Sequence, residues 1–422
     1  MTGRFSNAVG HLSHIPISAD VKLRPCVPVH TALLFRTKGN EARPRWRSHV
    51  QSQRRTRMAL LLLPIVVLGA CGRSGSTASS SPAAAGTAGA AGAVSGAAGA
   101  ASTTGGVEGS GTGPLIAFSQ EGLENSWRSE NTNSILSEAK KAGYRIVWQQ
   151  ADGDQSKQVA QVQNLLQQKP ALLIVEPAEQ QAATPIAGLA QKAGVPLIVA
   201  DRALGVAPGS NATYKTLITQ DWTKVGVALG EAAVKTLQAK SGKAEGNIVE
   251  LAGVLGSSPQ IAMDAGFKSV IAKSPGIKIV ASQDGNNERG PGLRIMEDYL
   301  TRYPKGQISL VWAQNDEMGV GALKAIQSAG RTELLGSILA KDGQLEGIQQ
   351  VADGNFAADC SNTPYFGPII MPYAKDILAG KQVAKAPDKP FTCYESITAQ
   401  GKADAKKALD TMNSTKAQFA NR

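Results

Sequence analysis

The sequence predicts an α/β protein of two doubly wound parallel-sheet lobes joined by a multi-strand hinge. Three observations predict it. From Pro114 onward, short apolar runs alternate with amphipathic segments, the order that lays parallel strands under right-handed crossover helices. Gly or Pro punctuates many joins, as in Ala142-Gly143-Tyr144, Lys169-Pro170-Ala171 and Gly194-Val195-Pro196. The pattern persists over roughly 300 residues, more than one sheet normally organises, so it divides into two lobes.

The strands are expected at 115–119, 145–149, 171–175, 196–200, 216–219, 247–251, 278–282, 310–313 and 336–340. Each is a short apolar run bounded by turn-forming residues. Helical periodicity falls between most of them, at 158–168, 182–193, 223–238, 291–302 and 318–329. Another helical run, 366–378, is flanked by two extended segments. The first passage between lobes is expected near Gln220 to Trp222. The N-terminal lobe then takes 114–221 and 361–390, and the C-terminal lobe 222–360 and 391–422.

What precedes the lobes is of a different kind. The chain has 422 residues, 44 Lys/Arg, 33 Asp/Glu and a formal charge of +11. Eleven of those cations and only Asp20 and Glu41 lie in 1–57, which leaves the remainder near neutral, with 33 basic and 31 acidic residues. The lobes therefore carry no basic footprint for nucleic acid. The leader 1–57 is Pro-spotted and aperiodic, and translation is expected to start near Val50 or Met58, a genuine cytoplasmic extension being the competing reading. Arg54-Arg55-Thr56-Arg57 precedes an apolar stretch, 58–70, that ends in Leu68-Gly69-Ala70-Cys71. That is an export signal, too short to span a bilayer comfortably. Its end resembles a lipobox, with Cys71 as the lipidated residue and a lipid anchor on the outer face of the cell membrane. Residues 72–113 are almost pure Ala, Gly, Ser and Thr, a flexible tether.

All four histidines (His11, His14, His30 and His49) lie in the leader. The lobes thus have no Ser-His-Asp triad, no Cys-His pair and none of the usual zinc sites. Neither a G-x-x-x-x-G-K-[ST] loop nor a G-x-G-x-x-G loop follows a strand. No catalytic residue, metal or cofactor is expected. Adjacent Asp316 and Glu317 seldom both face one substrate, and no histidine is there to serve as base.

Open α/β sheets bind ligands beyond the carboxyl ends of their strands. Here those ends carry Gln120, Glu124, Trp127 and Arg128, then Asp152, the pair Asp201-Arg202, the run Gln314-Asn315-Asp316-Glu317, and Lys341-Asp342-Gly343. Carboxylates, amides and guanidinium groups pair with vicinal hydroxyls. Trp127 offers a flat face to the C–H side of a sugar ring, with its indole N–H available; the plainer reading makes it a core residue under the first helix. The expected ligand is a neutral polyhydroxylated molecule.

Several stretches then become recognisable. "FSQEGLENSWRSENTNSI", "VADR" at 199–202, "NIVELAG" at 247–253 and "WAQNDEMGVGALKAIQSAG" at 312–330 occur in one order. Together they resemble the periplasmic sugar-binding proteins of ABC importers, the ribose/galactose-type family with the type I periplasmic binding protein fold. The first stretch is most similar to the galactofuranose-binding branch. The resemblance runs from Pro114 to the C-terminus and implies that Trp127, Arg128, Asp152, Asp201, Arg202, Asn315 and Asp342 face a sugar. It implies a monomer that hands a monosaccharide or polyol to ABC permease subunits, or alternatively a sensory module presenting ligand to a membrane receptor kinase. A sugar-responsive transcriptional regulator needs an N-terminal DNA-binding segment where this chain has a signal and tether. Family members usually carry an acidic–basic pair where this chain has Ala262 and Met263, and "DGNNER" at 284–289 also departs from the branch. The second lobe thus lacks a donor and holds an apolar, adaptable side chain. That favours a deoxysugar, a less hydroxylated sugar or a polyol over galactofuranose. In the family the segments around Cys360 and Cys393 are neighbouring hinge crossings, which makes a disulfide between them reasonable in an exported protein.

Overall fold

The computed structural model describes residues 112–420 except 388, with side chains to 414. The leader 1–57, Cys71 and nearly all of the 72–113 tether lie outside the described residues.

Five parallel strands form the first sheet: β1 (Leu115–Gln120), β2 (Arg145–Gln150), β3 (Leu172–Val175), β4 (Leu197–Ala200) and β5 (Tyr214–Ile218), in the order β2-β1-β3-β4-β5. Alternation along β1 sends Ile116 and Phe118 to one face and Ala117 to the other. Helices α2 (Gln155–Gln167) and α3 (Pro185–Ala193) cover the second face. The first face is covered by α1 (Ser126–Lys141) and, from much later in the chain, α9 (Gly367–Leu378). β5 starts at Tyr214, two residues before the sequence reading placed it. It is an edge strand whose alternating Tyr214, Thr216 and Ile218 are buried, a weaker signal than a continuous apolar run.

The second sheet contains β6 (Glu245–Ala252), β7 (Gly276–Asp284), β8 (Leu310–Ala313), β9 (Ile338–Asp342), β10 (Phe356–Ser361) and β11 (Cys393–Glu395), in the order β11-β10-β9-β8-β6-β7. Only β11 runs antiparallel to its neighbour. α4 (Trp222–Ser241) and α5 (Ser258–Ile271) cover one face, where Phe267 stacks on Trp312 with ring centroids 3.8 Å apart. α6 (Arg289–Arg302), α7 (Asp316–Ser328), α8 (Leu345–Asp353) and α10 (Ala399–Ala420) take the other.

The chain passes between the sheets three times: after β5, between β10 and α9, and between α9 and β11. Cys360 and Cys393 are disulfide-bonded directly opposite each other on β10 and β11, with Cα atoms 3.9 Å apart. The bond therefore lies within the second sheet, at the root of the second and third crossings.

Candidate ligand-binding cleft

Strands β1, β4, β8 and β9 point their carboxyl ends at the gap between the lobes, because both sheets are parallel and face each other across the hinge. Two helix entries are fixed by asparagine caps. Asn125 Oδ1 accepts the Arg128 N–H at 2.9 Å, and Asn315 Oδ1 accepts the Met318 N–H at 2.9 Å. These caps turn the backbone so that Trp127 and Arg128 enter the gap from the first lobe. The lobes touch on both sides of it. Asn125 Nδ2 donates to the Asn287 carbonyl at 3.1 Å and Ser126 Oγ to Glu317 Oε1 at 2.7 Å; opposite, the Ala203 N–H donates to Ser258 Oγ at 2.7 Å. The result is a closed cleft.

Between these contacts lies a cavity with about 400 Å³ free of atoms, its mouth included. Glu124, Trp127, Arg128, Asp201, Arg202, Asn315 and Asp342 all line it. Two sequence-derived candidates do not. Asp152 is exposed and pairs with Lys157; β2 is an edge strand, so its tip lies beside the cleft rather than over it. Gln120 is fully buried one layer behind, where its Nε2 donates to Asn131 Oδ1, Thr132 Oγ1 and Glu176 Oε2 at 3.0, 3.0 and 3.2 Å. Its amide is consumed in holding Glu176 against Arg128. Trp127 requires a correction too. Its indole N–H donates to the Asn362 carbonyl at 2.5 Å, and its ring packs edge-on to Phe366 at 6.2 Å. Trp127 is therefore both core and cavity wall, with only its face left for a ligand.

Charge dominates the first-lobe wall. Arg128 lies 3.0 Å from Glu121, 2.7 Å from Glu176 and 3.0 Å from Asp201, and Arg202 lies 2.7 Å from Glu121. Burial pushes Glu121 and Glu176 up to about 7 even beside these cations. For Asp201, burial pushes the same way, but Arg128, Arg202, Lys341 and Lys389 outweigh it and hold the carboxyl below its ordinary range. Glu124 stands apart. Its carboxylate is 3.8 Å from Arg128 and 4.0 Å from Arg202, and neither oxygen has a hydrogen-bond partner among the described residues.

The second-lobe wall is quieter. Asn315 Nδ2 donates to the Asn287 carbonyl at 3.0 Å, and Gln314 bridges Glu250 at 2.6 Å and the Gly253 N–H at 3.1 Å. Met263 is buried, lines the cavity and packs on the core around Phe267 and Trp312. Asp316 and Glu317 are absent from the lining: Asp316 accepts the Gln344 N–H at 2.6 Å, and Glu317 pairs with Arg289 at 2.8 Å. Sequence reasoning missed Asn125, Gln260, Asn287 and Asn362 in the lining. Asn287 lies in the quoted "DGNNER" and has φ of 58°, a left-handed turn that aims its backbone inward. Asn362 follows a hinge strand and carries no local signal.

Two facing parallel sheets, closed over a cavity lined by amides, guanidinium groups and an indole, suit the capture of a small polar molecule. The model of the periplasmic binding protein domain matches residues 116–382. The chain belongs to that family. This periplasmic binding protein is 32% identical over 302 residues to the galactofuranose-binding protein of Escherichia coli K12, covering 70% of this chain and 92% of that one. It is 31% identical over 277 residues to the ribose import binding protein of Bacillus subtilis, covering 65% and 85%. A Mycobacterium smegmatis structure in complex with β-D-fucofuranose is similar at TM-score 0.65 and 33% identity, over 72% of this chain and 97% of that one. All the cavity-lining residues fall inside the matched span, whereas most of the third crossing, Lys389 included, and Cys393 lie beyond it.

Proposed function

We propose that this periplasmic binding protein is an extracytoplasmic, non-catalytic receptor that captures a monosaccharide or related polyol in the interlobe cleft and delivers it to ABC permease subunits. It acts as a monomer, held at the outer face of the cell membrane by a lipid on Cys71. The observation that carries this reading is Glu124. It is a largely buried carboxylate whose two oxygens have no hydrogen-bond partner among the described residues, beside two arginines and the face of Trp127, in the closed interlobe cavity. Such an acceptor, in a cleft otherwise saturated with its own ion pairs, suits a pair of vicinal hydroxyls.

The second-lobe wall narrows the class. Met263 lines the cavity, where the sequence resemblance implies an acidic–basic pair in other members, so part of the ligand contacts an apolar, polarizable surface. A six-carbon furanose with a methyl terminus meets both walls. The complex of the M. smegmatis relative with β-D-fucofuranose, a deoxyhexose, supports that class.

A thermal-shift screen of the purified protein against D-fucose, D-galactose, D-ribose, L-arabinose and xylitol tests the reading. Ligand at 100 times its Kd stabilises by about 2.7 kcal/mol, enough to raise Tm by several degrees. D-Fucose should give the largest rise. A panel without any shift would sink the sugar reading, and a larger shift with D-galactose would reverse the role given to Met263.

A further inference from the structure

Lys389 is a buried lysine that forms no close ion pair among the described residues. It lies on the third crossing and is 6% exposed. No acidic oxygen lies within 4 Å of it among the described residues. Its Nζ instead donates to Asn362 Oδ1 at 2.6 Å and Gln220 Oε1 at 3.4 Å, and sits 4.7 Å from the Phe366 ring centroid. Gln220 belongs to the first crossing and Asn362 to the second. One ammonium therefore ties together all three connections between the lobes.

That arrangement is hard to explain as stabilisation. A buried charge hydrogen-bonded only to neutral amides, with the Asp201 and Asp342 carboxylates acting on it from beyond ion-pair distance, is costly, and an apolar residue of equal length often does as well or better. Asn362 shows where the cost goes. Its N–H donates to the Asp342 carbonyl at 2.7 Å, and its carbonyl accepts from Trp127 Nε1 at 2.5 Å. Its Nδ2 approaches Asp201 Oδ1 at 3.5 Å. Asp342 belongs to the second lobe, Trp127 and Asp201 to the first, and all three line the cavity. With Oδ1 taken by Lys389, every polar atom of Asn362 is committed.

We propose that Lys389 is a positioning residue: it fixes Asn362, and through it Trp127, Asp201 and Asp342, in the register of the closed cleft, and so sets how long the ligand is held. This inference rests on the receptor reading above. It makes the third crossing, which contributes no cavity wall of its own, a determinant of affinity.

The test uses Lys389→Met, which keeps length without charge, and Lys389→Arg, which keeps the charge. Three quantities are measured: D-fucose affinity and dissociation rate, Tm without ligand, and amide exchange at 219–221 and 362–365. Loss of a hydrogen bond to a charged group costs about ten-fold or more in affinity. Lys389→Met should show that loss through faster dissociation, with quicker exchange at both crossings and Tm unchanged or raised. Lys389→Arg should retain more of the affinity. A purely structural lysine would instead lower Tm and leave exchange at the crossings following it. Lys389→Met with wild-type dissociation and exchange would overturn the proposal. Wild-type protein that binds none of the five compounds of the panel would count against the receptor reading, while exchange at the crossings would still decide the role of Lys389.

Discussion

Glu124, Glu121 and Asp201 are three acids within reach of the same two arginines, yet their surroundings give them different work. Glu121 and Asp201 sit at 2.7–3.0 Å from guanidinium nitrogens and are spent on holding them. Glu124 is displaced to 3.8 and 4.0 Å and keeps its oxygens for a ligand. Glu124→Gln should therefore cut sugar affinity by roughly ten- to a hundred-fold, the worth of a charge-assisted hydrogen bond. Ligand-free Tm should move little, since Glu124 has no hydrogen-bond partner among the described residues and its two ion pairs are long. Calorimetric titration beside a thermal melt checks both, and a variant that binds normally would remove Glu124 from the site. Placement was largely readable beforehand: seven of the nine strand-tip candidates line the cavity. Asp152 and Gln120 lie outside it for a reason of sheet geometry. Polarity at a strand end is visible in sequence, whereas the rank of that strand across the sheet is not.

At the scale of elements, close backbone approach decides which side chains reach the cleft. A Cβ on Gly226 of α4 would lie 2.1 Å from the Met263 carbonyl oxygen, and one on Gly266 of α5 would lie 2.3 Å from that of Thr223. The two helices are thus in backbone contact, and this contact holds Met263 against the cavity. Gly226→Ala must push α5 away, at a cost of about 2–3 kcal/mol for overpacking. Its denaturation midpoint should fall with an unchanged m-value, and sugar binding should weaken with it. An unchanged midpoint would mean the helices slide freely and Met263 is not held by this packing. Strand positions were legible from apolar runs, and most helices from their periodicity. β11 was legible only as part of an extended segment after the 366–378 helix: three residues, antiparallel at a sheet edge, offer no period to read.

For the whole molecule, folding buries acids in both lobes. Burial raises Glu121, Glu176 and Asp359 to about 7, and lifts Asp316, which converges with Asp359, well above the carboxylate range. Between the unfolded carboxylate range and about 7, the native state binds more protons than the unfolded chain. Stability is then fully present at the acid end and lost as pH rises through 7. Tm should fall by several degrees between roughly pH 5 and pH 7.5, and Asp359→Asn should flatten that slope. A Tm that climbs over this window would show that the arginines, not burial, govern these acids. Asp201, held low, acts in the opposite sense only at more acid pH.

Alternating runs of apolar and amphipathic residues were enough to specify two parallel-sheet lobes, because backbone hydrogen bonding and side-chain periodicity are local properties written residue by residue. The same is true of the polar strand tips, since loops there need not be apolar. The tertiary structure alone decided that Asp152 lies outside the cleft, that the Trp127 indole is already bonded to Asn362, and that Lys389 joins the crossings. Each of these depends on which distant segments meet. Asn362 lies 235 positions from Trp127 and 27 from Lys389. A contact over such separations is set by sheet order and the path of the hinge, which no short stretch of sequence encodes.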